Sequence, residues 1–140
     1  MIAGTAQIET TRTERIPSGW RVIRDASDHA SQPTYDELRR IREFYSVPHW
    51  PAVARFLSQN ARVRRILFDA IDVIPVFFQD VSAATIYQRE DAHGEVEYLA
   101  ARIKSDRDIS RLLQERSQFD TGWWSKKFPS VRHQLIFDVE

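Results

Sequence analysis

The sequence predicts an α+β domain: N-terminal helices, a β-hairpin, a further helix and a final strand, forming a small three-stranded sheet covered by helices. Three observations predict it. Apolar residues recur at helical spacing from Leu38 to Phe78. Alternation replaces that spacing between Ala84 and Lys104, around a turn containing Gly94. After one more helical stretch the chain closes on Gln134-Leu135-Ile136-Phe137-Asp138-Val139, a β-like run. At 140 residues the chain fits one domain. It is expected over residues 33–140, behind a flexible polar extension over residues 1–32.

Residues 1–32 carry few large apolar groups and hold no period for long. Gly19-Trp20-Arg21-Val22-Ile23-Arg24 is the exception, and Trp20 and Val22 share one side of an extended segment there. An apolar island in a polar arm is a natural docking point.

Order is expected to begin near Pro33. Thr34-Tyr35-Asp36-Glu37 has the form of a capping box, with the Thr34 hydroxyl accepting from the amide of Glu37. Leu38, Ile41, Phe44 and Tyr45 then face one way. Val47-Pro48-His49-Trp50-Pro51 interrupts the helix, because each proline disfavours helical geometry in its predecessor. Pro51 suits the first turn of the next helix, where its missing N–H costs nothing. That helix carries Val53, Phe56 and Leu57, and ends near Asn60. A third helix sets Val63, Ile66, Leu67, Ala70 and Ile71 on one face, and Pro75 is expected to kink or restart it.

In the second half, Glu90-Asp91-Ala92-His93-Gly94 reads as the hairpin turn, since Gly94 can adopt positive φ. Val96, Tyr98 and Ala100 fall on one face of the returning strand, and Glu97, Leu99, Ala101 and Ile103 on the other. Ser105 is the expected N-cap of the next helix, with Asp106 and Asp108 favoured by its dipole. Its stripe is Ile109, Leu112, Leu113, Phe119 and Trp123, and Gly122 and Pro129 limit its length. The helix between the last two strands lets the final strand run parallel to its neighbour.

No cysteine is present, which excludes disulfides, thiolate nucleophiles and cysteine-bearing zinc sites. The four histidines, His29, His49, His93 and His133, show no i,i+3 or i,i+4 ligand spacing. The four glycines form no phosphate loop, so no cofactor is expected. No apolar run approaches the roughly 18 residues that span a bilayer. The N-terminus lacks the apolar stretch of a signal peptide, so a cytoplasmic location away from membranes is expected.

The protein is neutral overall, but its charge is unevenly placed. Residues 1–65 hold 11 Arg and 7 acids, whereas residues 66–140 hold 9 basic groups and 13 acids, giving +4 and −4. Arg39 and Arg42 are one helical turn apart, as are Arg62 and Arg65. Two such pairs could track phosphates, although the nearby aromatics look committed to the core. Asp91, Glu95 and Glu97 cluster at the hairpin, where solubilising charge explains them. Trp123-Trp124 is the most unusual feature. Trp123 continues the apolar stripe and belongs in the core. Trp124 is either a lid over the core edge or an exposed anchor of the kind enriched at interfaces.

Residues 50–140 carry a resemblance. Phe56-Leu57, Ile66-Leu67-Phe68-Asp69-Ala70, Phe77-Phe78, the hairpin, Phe119-Asp120-Thr121-Gly122-Trp123-Trp124 and Leu135-Ile136-Phe137-Asp138-Val139-Glu140 resemble a family of small uncharacterised bacterial proteins. Those have a helical N-terminal half, a β-hairpin and a C-terminal helix–WW–strand element. This chain departs from the pattern at Thr121-Gly122, where the family is usually acidic. The resemblance implies no catalytic residues, and it allows an antitoxin-like or adaptor role as one half of a two-gene pair.

The expected function is therefore a non-catalytic protein-binding module or homodimer that uses Trp20, Val22 and Trp124, with no small-molecule substrate evident. The alternative is nucleic-acid binding through Arg39, Arg42, Arg62 and Arg65. A small hydrolase built from Asp91, His93, Glu95 and His133 is third.

Overall fold

The computed structural model describes residues 32–140. Its elements, in chain order, are α1 (Gln32–Phe44), α2 (Trp50–Gln59), α3 (Ala61–Phe77), β1 (Val81–Glu90), β2 (Val96–Ser105), α4 (Ile109–Phe119), a π turn (Asp120–Trp124), α5 (Ser125–Val131) and β3 (Leu135–Val139). The expected α+β class holds. β1 and β2 form the antiparallel hairpin, and β3 adds in parallel to β2, so the sheet order is β1-β2-β3.

The hairpin turns as its residues require. Gly94 has φ 79°, and the Asp91 carboxylate accepts from the amides of His93 and Glu95 at 2.8 and 3.0 Å. Alternation then assigns the two faces. Ala84, Ile86, Leu99, Ala101, Ile103, Leu135 and Phe137 are buried beneath the helices. Their neighbours in sequence point to the opposite face. Val53 and Leu57 of α2 meet this inner face together with the α3 row Val63, Ile66, Leu67, Ala70 and Ile74. Tyr45 joins them, its hydroxyl donating to the Leu67 carbonyl at 2.9 Å, and burial pushes its ionisation well above the ordinary tyrosine value.

Several local expectations are corrected. α1 already begins at Gln32, which places Thr34 inside the helix rather than at its N-cap, and the Glu37 carboxylate turns to α3 instead. α3 continues through Pro75 to Phe77 without restarting. A proline that close to the C-terminus forfeits a single ladder bond, and the Phe78 amide still reaches the Ile74 carbonyl at 2.9 Å. Pro129 likewise lies inside α5. Asp108 rather than Ser105 caps α4, its carboxylate accepting from the Arg111 amide at 3.0 Å. Ser105 instead accepts from the Arg107 amide within the connection.

The C-terminal aromatics take an order that helical spacing does not give. From Phe119, an α-turn points four residues on, to Trp123, whereas a π turn points five on, to Trp124. The backbone is π from Asp120 to Trp124. Trp124 is accordingly the core residue, 8% exposed, with its ring 4.7 Å from Phe137 and 5.7 Å from Phe128. Trp123 is half-buried, stacked 6.4 Å from Trp124 and covered by the Lys127 ammonium at 5.9 Å.

Gly122 is part of this turn. A Cβ there would lie 2.9 Å from Cζ of Phe77, whose ring packs edge-on against Phe119. Gly122→Ala gains about 0.5–1 kcal/mol of helix propensity but overpacks at about 1–3 kcal/mol. A net loss is expected in urea melts. Trimming the opposing ring with Phe77→Leu should shrink the penalty of Gly122→Ala, a coupling that separate effects would not produce.

Candidate functional site: the outer face of the sheet

Among the described residues no helix covers the outer face of the sheet, and the register places its residues in rows. Tyr87 pairs with Ala100, and Ala100 with Ile136, forming an apolar row across all three strands. Tyr87 is 43% exposed and Ile136 40%. The next row is Thr85, Arg102 and Asp138. Here the Arg102 guanidinium lies 5.1 Å over the Tyr87 ring and pairs with Asp138 at 3.6 Å and Glu140 at 3.7 Å. On the other side of the apolar row, Arg89 pairs with Tyr98. The face is thus an aromatic and aliphatic centre flanked by charge.

The two edges of the sheet differ. At β1, Ser46 forms a bridge to Thr85: its amide donates to the Ala84 carbonyl at 2.8 Å and its carbonyl accepts from the Ile86 amide at 2.9 Å. No described residue does this for β3.

Trp20 and Val22 lie outside the described residues. Trp124 is buried within the core, so it is not an exposed anchor. The arginines are largely engaged within the fold. Arg39 pairs with Glu43 at 3.0 Å and Asp36 at 4.0 Å, and Arg42 lies 5.2 Å over the Trp50 ring. Arg65 bonds Glu37 at 2.7 Å and Asp69 at 3.2 Å, and these partners hold its guanidinium above its ordinary pKa. Arg62 is exposed. Each positive face is therefore weaker than the residue list implies, because acids of the same or a neighbouring helix pair with one arginine of each, Arg39 and Arg65.

Among the described residues, no group of three or more His, Asp or Glu side chains is placed to hold a metal ion. Asp91 is committed to the hairpin turn, and His93, Glu95 and His133 are exposed. A groove of about 500 Å³ runs between Phe44, Ile74, Pro75 and Phe78, and Asp80 is its one ionisable lining residue.

Periodicity missed one charged group. Glu115 falls on the inward stripe of α4 between Leu112 and Phe119 and is buried, whereas Ile109 and Leu113 are 65% and 53% exposed. The Glu115 carboxylate lies 3.5 Å from Nε of Arg107, whose Nη1 is 3.5 Å from Asp80. Asp80 has φ 57° and accepts the Asp106 amide on its carbonyl at 3.1 Å. This group ties the α3–β1 and β2–α4 connections together. A structural latch accounts for it.

With this geometry established, comparison with known proteins adds nothing further: no family, no curated protein and no solved structure matches the chain. The resemblance of residues 50–140 therefore rests on its motif residues alone. No helix among the described residues is long and apolar enough to cross a membrane. Fold and surface together define the class: an α+β domain with helices on one face of a three-stranded mixed sheet and an apolar row open on the other.

Proposed function

We propose that this protein is a non-catalytic protein-binding module, an adaptor or antitoxin-like component, that meets its partner through the outer face of the sheet. The observation that carries this reading is the row Tyr87–Ala100–Ile136, apolar and open across all three strands, with Arg102 held against Tyr87 at its flank. A rigid strand-borne aromatic beside a guanidinium is the side-chain pairing enriched at interface hot spots. The ion pairs of Arg102 orient the guanidinium before any partner arrives, which lowers the ordering cost of binding.

The test is titration calorimetry of the full chain against the products of neighbouring genes. Tyr87→Asp is expected to weaken a partner found this way by at least about tenfold, the effect of losing one hot-spot side chain. Its circular dichroism should stay unchanged, because Tyr87 lies outside the core. Undiminished binding by Tyr87→Asp would overturn the reading. Nucleic-acid contact through Arg39, Arg42, Arg62 and Arg65 remains the second proposal, supported by the exposure of Arg62. It requires a gel shift at low salt that fades as salt rises and weakens in Arg62→Ala.

A further inference from the structure

We infer that the π turn has a second seat one helical turn further on, over residues 124–128, and that moving between the two seats exchanges Trp123 and Trp124 at one position in the core. Helix phase and ring packing inside the domain carry this, independently of the protein-binding reading, so either can fail without the other.

The frame is fixed at both ends of the stretch. Phe119 is buried before the turn and Val131 after it, and Phe128 lies on the side of Val131 with its ring 5.7 Å from Trp124. A continuous α-helix cannot serve both ends. Four residues on from Phe119 is Trp123, and from Trp123 the helical steps of four and seven reach Lys127 and Ser130 in place of Phe128 and Val131. One residue too many lies between the anchors, and a π turn absorbs it.

The anchors demand one such turn but do not say where it sits. In the observed seat, Asp120–Trp124, the step of five runs from Phe119 to Trp124, and a step of four then reaches Phe128. In the second seat the order reverses, with four from Phe119 to Trp123 and then five from Trp123 to Phe128. Both seats leave Phe119 and Val131 facing the core. Only the tryptophans trade places.

The surroundings suit the exchange. The two indoles are stacked with 30° between their planes, and both touch the same ring, Phe137, at 6.1 Å for Trp123 and 4.7 Å for Trp124. Gly122 presents no Cβ to the Phe77 ring, which one would meet at 2.9 Å, so the backbone can turn beneath that ring. Pro129 lies inside α5, where it has no N–H to give and crowds the carbonyl four residues back, that of Ser125. A π turn leaves a helix carbonyl without a donor. Seated over residues 124–128, it does so in the stretch that Pro129 already deprives, so the move costs fewer bonds there than elsewhere.

In the second seat Trp124 turns out of the core to the flank of Asp120, four residues back, whose carboxylate lies 3.6 Å from Arg116. A partner that grips an indole there would draw this seat forward by as much as it prefers that state. Without one, the second seat is a minor state of about 1–10%.

Deletions separate the seats. Removing Thr121 takes out the surplus residue before Trp124 and leaves a continuous α-helix with Trp124 inward. Removing Ser125 takes it out after Trp123 and leaves Trp123 inward. In full-length chains labelled with fluorotryptophan, both deletions are expected to keep a cooperative melt. The outward indole, Trp123 in the Thr121 deletion and Trp124 in the Ser125 deletion, should show the larger fluorine shift between water and heavy water. In the parent chain the Trp123 and Trp124 resonances, assigned with Trp123→Phe and Trp124→Phe, should show relaxation dispersion with one shared rate on the µs–ms scale. Each deletion should abolish it. Parent resonances without dispersion, or with unrelated rates, would overturn the inference whether or not the deletions fold. So would a Ser125 deletion that loses its cooperative melt while the Thr121 deletion keeps one, or that folds with Trp124 still shielded.

Discussion

Phe119→Ala is expected to lower the unfolding free energy by about 3–5 kcal/mol, the cost of emptying a fully buried aromatic site. Phe119 is 1% exposed, and four rings surround it: Phe78 and Phe137 at 5.3 Å, Trp123 at 5.5 Å and Phe77 at 5.9 Å. These rings come from the end of α3 and its C-cap, from β3 and from the π turn. One side chain therefore joins the helical layer to the last strand, and neighbours that are themselves bulky rings cannot collapse into the space it leaves. A domain of this size has a stability of about 5–15 kcal/mol, so the variant should sit near the edge of folding with its Tm lowered by about ten degrees or more. Urea melts followed by tryptophan fluorescence measure the loss directly. A cost below about 1 kcal/mol would mean that the aromatic cluster is not the keystone of the core. Phe119→Leu, which keeps most of the volume, should cost much less.

Glu37→Ala is expected to cost about 3 kcal/mol, as the breaking of a buried ion pair does. Oε1 of Glu37 accepts from Nε of Arg64 at 2.9 Å, and Oε2 from Nη1 of Arg65 at 2.7 Å. The two arginines are unequal. The Arg64 side chain is 12% exposed and also donates to the Leu57 carbonyl at 3.0 Å, so removing Glu37 strands a buried cation. The Arg65 side chain is 61% exposed and water can take over its bonds, so Arg65→Ala should cost far less than Glu37→Ala. A chemical melt of each single variant, with Arg64→Met to close a double-mutant cycle, separates the two arms. Equal, small losses from Glu37→Ala and Arg65→Ala would show that the buried arm contributes little.

Both expectations bear on how far the fold could be read from residues alone. The hairpin, the parallel final strand and the α3 stripe were legible because strand alternation, a glycine at the turn and helical spacing are local signals. Trp123 and Trp124 exchanged roles because the π turn adds one residue to the phase between Phe119 and its next inward neighbour, and nothing in Asp120-Thr121-Gly122 announces that. Glu37 read as a capping residue because its spacing from Thr34 fits that motif. Its real partners lie 27 and 28 residues away, and only the packing of α1 on α3 reveals them. Glu115 drew no reading, because a stripe traced through apolar residues passes over a carboxylate, while its position between Leu112 and Phe119 decides its burial. The arginine faces looked basic because they were counted without their pairs, Asp36 and Glu43 for Arg39 one turn away and Asp69 and the distant Glu37 for Arg65.

The candidate surface was less legible than the fold. A three-stranded sheet was foreseeable, but the row across it depends on the register between strands. Tyr87, Ala100 and Ile136 come from three segments, and no spacing along the chain connects them. The asymmetry of the edges was equally hidden, since the Ser46 bridge is made by a loop between two helices.

We propose that the outer face of the sheet, and not the arginine-bearing helices, receives a protein partner. Backbone hydrogen exchange of the full chain, alone and with a neighbour-encoded partner at equal chain concentration, tests it most directly. Added protection concentrated in Val81–Glu90, Val96–Ser105 and Leu135–Val139 is the predicted result. Protection confined to α1 and the start of α3, with the three strands unchanged, would contradict it.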